Sequence, residues 1–155
     1  MKSELVYWDS CAFLGWLQEE PDKVDMCSGT LDRARAGEIG LVTSALTLTE
    51  VLWTKGGPKL TADRADTLNR FFRHSWIRIH NVTRTTAMRA QDVVWNHNVK
   101  PKDAIHVATA LELGIPTLET FDDGVLKLNG LIGTPTLVVR KPIAADQGSF
   151  QFGQR

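Results

Sequence analysis

Five short apolar runs, each set off from the next by turn residues or helix-length stretches, constrain this chain more than anything else in its sequence. The runs are Glu4–Trp8, Ile39–Thr43, Trp76–His80, Pro116–Glu119 and Thr136–Val139. They carry β-branched and aromatic residues and are short enough to read as buried strands. The stretches between them predict helices over Ala12–Glu19, from Pro21 to about Ala36 with Gly37 as the stop, and over Ala45–Trp53 behind a Ser44 cap. Further helices are expected over Ala62–His74, from Thr83 or Thr85 to about Asn96, and from Lys100-Pro-Lys-Asp103 to Gly114. Lys55-Gly-Gly-Pro58 is the clearest breaker. Strands that alternate with helices are joined by right-handed crossovers, which predicts an α/β fold with a mostly parallel sheet covered on both faces.

The chain has 155 residues, 43% of them hydrophobic and 23% charged, enough for one sizeable core. A single domain over residues 1–140 is expected, followed by a polar tail over 141–155. No apolar run approaches the roughly 20 residues needed to cross a bilayer, and no basic-then-apolar leader opens the chain, so a cytoplasmic protein is expected. Cys11 and Cys27 form no CxxC and are expected to be reduced thiols. Eighteen basic and eighteen acidic residues balance, which argues against a protein that coats nucleic acid through a broad basic surface. Acids sequestered in a site would leave the rest of the surface mildly basic, which permits an RNA partner.

Four acids stand out by position. Asp9 ends the first strand, Glu50 lies in the helix leaving the second, Asp103 opens a helix, and Asp122 follows the next strand. In parallel sheets ligands bind beyond the carboxyl ends of the strands. A helix from 103 to 113 spans about 16 Å and a five-residue strand returns about as far, which brings Asp122 back to the level of Asp103. Alone, each acid has a structural reading: Asp9 as a helix cap, Asp103 as a first-turn acid, Asp122 with Asp123-Gly124 as turn chemistry, Glu50 as a solvated helix residue. Together they would repel one another strongly unless they held divalent cations, and such hard-metal sites commonly do phosphate chemistry. Glu50 is further marked by its apolar flanks Leu46, Leu48, Val51, Leu52 and Trp53.

His106 falls one turn after Asp103, but its neighbours Ile105, Val107 and Ala108 favour a satisfied core histidine. Trp8, Trp16, Trp53, Trp76 and Trp95 read as core packing ahead of base stacking. Lys55, Lys59, Arg64, Arg70 and Arg73 surround the Gly-Gly-Pro loop as RNA-backbone contacts or as a solvated face, and Lys102, beside Asp103, is a candidate phosphate contact.

At Asp9-Ser10, Thr49-Glu50, Asp103-Ala-Ile-His-Val-Ala-Thr-Ala110 and Thr120-Phe-Asp122 the chain resembles PIN-domain proteins, most of all the VapC-type toxins of toxin–antitoxin pairs. The resemblance runs in order and spacing from about residue 4 to 139. It implies a three-layer α/β/α sandwich and an endoribonuclease dependent on one or two Mg²⁺ or Mn²⁺ ions. Asp9, Glu50, Asp103 and Asp122 match the family's acidic metal-site positions, with Ser10 and Thr120 as polar support and Asp123 as a competitor to Asp122. It also implies an antitoxin partner and a homodimer. The alternative is a catalytically weak PIN-like module acting through a protein partner. A haloacid-dehalogenase reading, which needs a second Asp where position 11 is Cys, and a receiver reading, which lacks its acidic pair, are minor alternatives.

Overall fold

The computed structural model describes residues 4–53 and 56–144. Their strands are β1 (Glu4–Trp8), β2 (Ile39–Ser44), β3 (Ile77–His80), β4 (Thr117–Glu119) and β5 (Val138–Arg140). Their helices are α1 (Ser10–Leu17), α2 (Val24–Arg35), α3 (Thr47–Glu50), α4 (Ala62–Phe71), α5 (Arg84–His97), α6 (Pro101–Glu112) and α7 (Asp123–Leu126). The strands form one sheet in the order β3-β2-β1-β4-β5. Each neighbouring pair is parallel, so the expected parallel sheet is present.

Alternation along β1 sorts the core into two faces. Val6 and Trp8 join Phe13, Leu31, Leu68 and Phe72 from α1, α2, α4 and the residue after it. Tyr7 points the other way, into Ala90, Val93, Ala104, Val107 and Ala108 of α5 and α6. Helices therefore cover both faces, which gives the three-layer α/β/α architecture. Fully buried side chains such as Phe13, Leu31 and Leu41 contribute about 1.5–3 kcal/mol each by leaving water.

Local chemistry fixes the helix ends. Thr83 caps α5 through a reciprocal box with Thr86, and Pro101 opens α6 where a missing N–H costs nothing. Gly37 and Gly114 follow α2 and α6 with φ of 79° and 65°, as helix-ending glycines do. No helix among the described residues is long and apolar enough to cross a membrane. Cys11 and Cys27 are free thiols. Burial pushes them up to about 11 and about 12, which keeps them protonated and inert.

Several expected boundaries shift. The helix expected over Ala45–Trp53 shrinks to α3, with turns at 45–46 before it and 51–52 after it. Thr43 and Thr47 pair at 2.7 Å and Thr49 donates to the Leu46 carbonyl at 2.9 Å. Ser44 accepts from Leu46 N at 3.1 Å and so turns the chain out of β2 instead of capping the helix. Beyond α3, Leu60 N donates to Leu52 O at 2.8 Å, and Trp53 pairs with Lys59 in an antiparallel bridge. The last strand starts later than Thr136 because Leu137 N is committed to Ile132 O at 2.7 Å. α7 forms where only turn chemistry was expected. Trp53 and Trp95 are 66% and 89% exposed, so the core reading fails for these two, whereas Trp8 is fully buried. Lys55 and residues 145–155 of the expected tail lie outside the described residues.

Candidate active site

The sheet order reverses at β1, whose neighbours are β2 on one side and β4 on the other. That is a topological switch point, where parallel sheets open a crevice beyond the strand ends. Asp9 follows β1 and Thr120-Phe-Asp122 follows β4, so the two motifs meet at this crevice.

A single hydroxyl joins them. Thr120 Oγ1 donates to Asp9 Oδ2 at 2.5 Å and accepts from the Asp122 backbone N at 3.0 Å. Asp9, only 2% exposed, also accepts from Ala12 N at 3.0 Å and caps α1. Asp122 accepts from Gly124 N at 2.8 Å and caps α7. The capping reading of Asp9 thus holds, the turn expected at Asp122 is the start of α7, and the two caps are what aim these acids. Asp123 is exposed, one residue further on.

The three aspartates feel one another. Burial first, then the charge of Asp122 and a hydrogen bond shared with it, then the charge of Asp9, push Asp103 up to about 6. Asp9 is also raised, by burial before all else, with His106, Thr120 and the Ala12 N–H opposing and Asp122 adding to the shift. Like charges in a half-dry crevice disfavour ionisation of any one of them.

Glu50 is held differently. Its Oε1 lies 2.6 Å from His106 Nε2. Burial raises its carboxyl, but the hydrogen bond and charge of His106, the Ser10 side chain and the Lys102 charge outweigh that and leave it lowered. Ser10 and Lys102 therefore gather at Glu50. His106 is 1% exposed, and its Nδ1 lies 2.6 Å from the Tyr7 hydroxyl. The core reading of His106 is right about its burial and misses its carboxylate partner. The spacing signalled only that His106 stands near the acidic edge, since positions three apart on a helix share a face and Asp103 precedes His106 by three; nothing local pointed to Glu50.

Among the described residues, no three or more His, Cys, Asp or Glu side chains come together as a ready-made metal-binding group. The crevice instead holds the aspartates as one mutually repelling set and Glu50 paired to His106. Another acid went unnoticed in the sequence. Glu119, 2% exposed at the end of β4, accepts from Trp8 Nε1 at 2.8 Å, Thr30 Oγ1 at 2.6 Å and Arg140 Nε at 3.3 Å. Its signal was a carboxylate inside an apolar strand. Among the basic residues near the Gly-Gly-Pro loop, Arg70 pairs with Asp66 at 3.0 Å on an exposed helix face, the solvated reading.

Solved structures share this architecture. The chain resembles a toxin–antitoxin complex from Klebsiella pneumoniae (TM-score 0.61, 21% identity, 90% of this chain and 98% of that one). It resembles VapBC2 from Rickettsia felis bound to a promoter DNA fragment (0.65, 13%, 88% and 98%). It also resembles VapC20 of Mycobacterium tuberculosis, described as a sarcin–ricin loop cleaving toxin (0.58, 19%, 76% and 90%). At these identities the likeness is one of fold. No curated protein sequence matches significantly. The PIN domain family model matches residues 6–131, a span that includes Asp9, Glu50, Asp103 and Asp122, and the chain belongs to the PIN domain family.

Proposed function

We propose that this protein is a metal-dependent endoribonuclease and the toxin of a toxin–antitoxin pair. The observation that carries this reading is the gathering of Asp9, Asp103 and Asp122 at the switch point, where burial first and then the charges of Asp122 and Asp9 push Asp103 up to about 6. The donor set fits a hard divalent cation such as Mg²⁺ or Mn²⁺, because it is all carboxylate oxygen and its repulsion is what such an ion offsets. When bound, one or two ions would activate a water for in-line attack on phosphorus and neutralise the leaving oxygen.

The chain's own residues supply the rest. Asp9, Asp103 and Asp122 would hold the ion, with Glu50 completing the acidic edge. Thr120 keeps Asp9 from rotating away, and Ser10 steadies Glu50. Lys102, whose charge already reaches Glu50, would take a substrate phosphate as the strand enters. Asp123 is left a supporting role at the solvent side. The catalytic unit in this reading is residues 1–140, and removing the tail should leave cleavage intact.

Two protein partners belong to the proposal. An antitoxin would occupy the acidic cleft and reach toward its carboxylates with a basic side chain, with the groove of about 910 Å³ lined by Leu14, Leu17, Val51, Leu60, Leu68 and Phe71 open to the rest of it. A second copy would cover the face of α5 where Met88 and Trp95 are exposed.

The test is a total RNA pool incubated with the protein and its Asp103→Asn variant, with Mn²⁺ and with chelator. The wild type should cut only with metal, and the variant should lose at least about 100-fold, beyond the 10–100-fold typical of outer-shell partners. Equal cutting by both proteins would sink the assignment. One observation favours a second reading, a PIN-fold binding module of little activity: Glu50 is tied to His106 instead of standing free beside the three aspartates. Stabilisation of the protein by metal separates the two.

A further inference from the structure

We propose that His106, anchored by Tyr7, is a positioning residue that sets where the Glu50 carboxylate stands at the acidic edge. The inference rests on the metal-site reading of that edge. Glu50 ends α3, which has four residues, and a helix that short does little to fix its own side chains. What holds Glu50 is a chain of polar groups leading out of the core. The buried Tyr7 hydroxyl lies 2.6 Å from His106 Nδ1, and His106 Nε2 lies 2.6 Å from Glu50 Oε1.

The chemistry of the partners assigns the proton positions. An ionised Glu50 can only accept, so Nε2 carries a hydrogen and donates to it. In the neutral ring Nδ1 then accepts, and the Tyr7 O–H donates to it. Tyr7 is fully buried on the same strand that delivers Asp9, so the histidine is tied to β1 at one nitrogen and to α3 at the other. An apolar residue would fill this core position without needing two buried partners. Both nitrogens are instead engaged at short distances, as expected for a group that orients a carboxylate from behind.

The test measures Mn²⁺ binding alone, without RNA, by calorimetry, alongside thermal melts in chelator. His106→Leu should bind Mn²⁺ roughly 10-fold more weakly or worse, within the range for outer-shell partners. His106→Gln keeps an N–H donor at the Nε2 position and should recover most of that loss. His106→Asn keeps a partner for Tyr7 but cannot reach Glu50, and should behave like the leucine variant even if the latter folds poorly. Because the histidine acts through Glu50, the double variant His106→Leu with Glu50→Gln should bind no more weakly than Glu50→Gln alone. A folded His106→Asn with wild-type Mn²⁺ affinity, beside a weakened Glu50→Gln, would overturn the positioning role and leave the ribonuclease reading standing. Additive losses in the double variant would overturn it equally. Absence of Mn²⁺ binding by the wild type would bring down the metal-site reading and this inference with it.

Discussion

Asp103 shows how position changes the ionisation of an ordinary residue. A first-turn aspartate on an exposed helix gains a little from the helix dipole and stays ionised. Here Asp122 and Asp9 face it in a half-buried crevice, and its carboxyl moves from an ordinary 3.8 up to about 6. In the folded chain it keeps its proton to about pH 6, whereas the unfolded chain loses it near pH 4. The stability this contributes is whole below about pH 4 and gone above about pH 6. The chelated protein should therefore melt higher at pH 5 than at pH 7, and Asp103→Asn should reduce that difference; a variant with an unchanged pH profile would refute the coupling. Asp9 is shifted in the same direction. Glu50 is shifted down, so its contribution fades only below its ordinary 4.5 and lies outside this window. With saturating metal the trend should reverse, since protons compete with the ion for the same oxygens. The level of Asp9, Asp103 and Asp122 was legible in the sequence because each sits at a strand or helix end. The pairing of Glu50 with His106 was not, because 56 residues separate them and no local pattern records which faces of two helices meet.

At the scale of elements, β4 is three residues long yet joins the central β1 to the edge strand β5. Its last residue, Glu119, gathers donors from β1, α2 and β5 through Trp8, Thr30 and Arg140. Replacing it with alanine would strand the Trp8 and Thr30 donors in a dry core and leave Arg140 unpaired. Glu119→Ala should lose about 2–4 kcal/mol by urea denaturation, chiefly the cost of two stranded buried donors, since Arg140 is 39% exposed and can turn to water. A loss below about 1 kcal/mol would mean that water replaces the carboxylate. The strands themselves were readable from β-branched and aromatic runs. The shortening of α3 was not, because it goes with the Leu60–Leu52 bond and the Trp53 and Lys59 pairing that close the loop behind it.

For the whole molecule, the meeting of Asp9 with Asp122 is a consequence of strand order. β1 and β4 are neighbours although more than a hundred residues separate them. A metal that binds only the folded protein must stabilise it, by about 2.7 kcal/mol at 100 times its Kd. For a chain of this size that is a rise of roughly 5–10 °C in Tm. No shift in millimolar Mn²⁺ would favour the binding module over the nuclease. The sequence by itself determined the alternation of strands and helices, hence a parallel sheet, and the ends at which the acids stand. Those follow from local propensity and from the hydrophobic period, which act within a few residues. Only the tertiary structure decided that β1 and β4 adjoin, that Thr120 clamps Asp9, that Tyr7 and His106 stand behind Glu50, and that Glu119 is structural. These depend on which buried faces pack together, and burial is a property of the assembled chain.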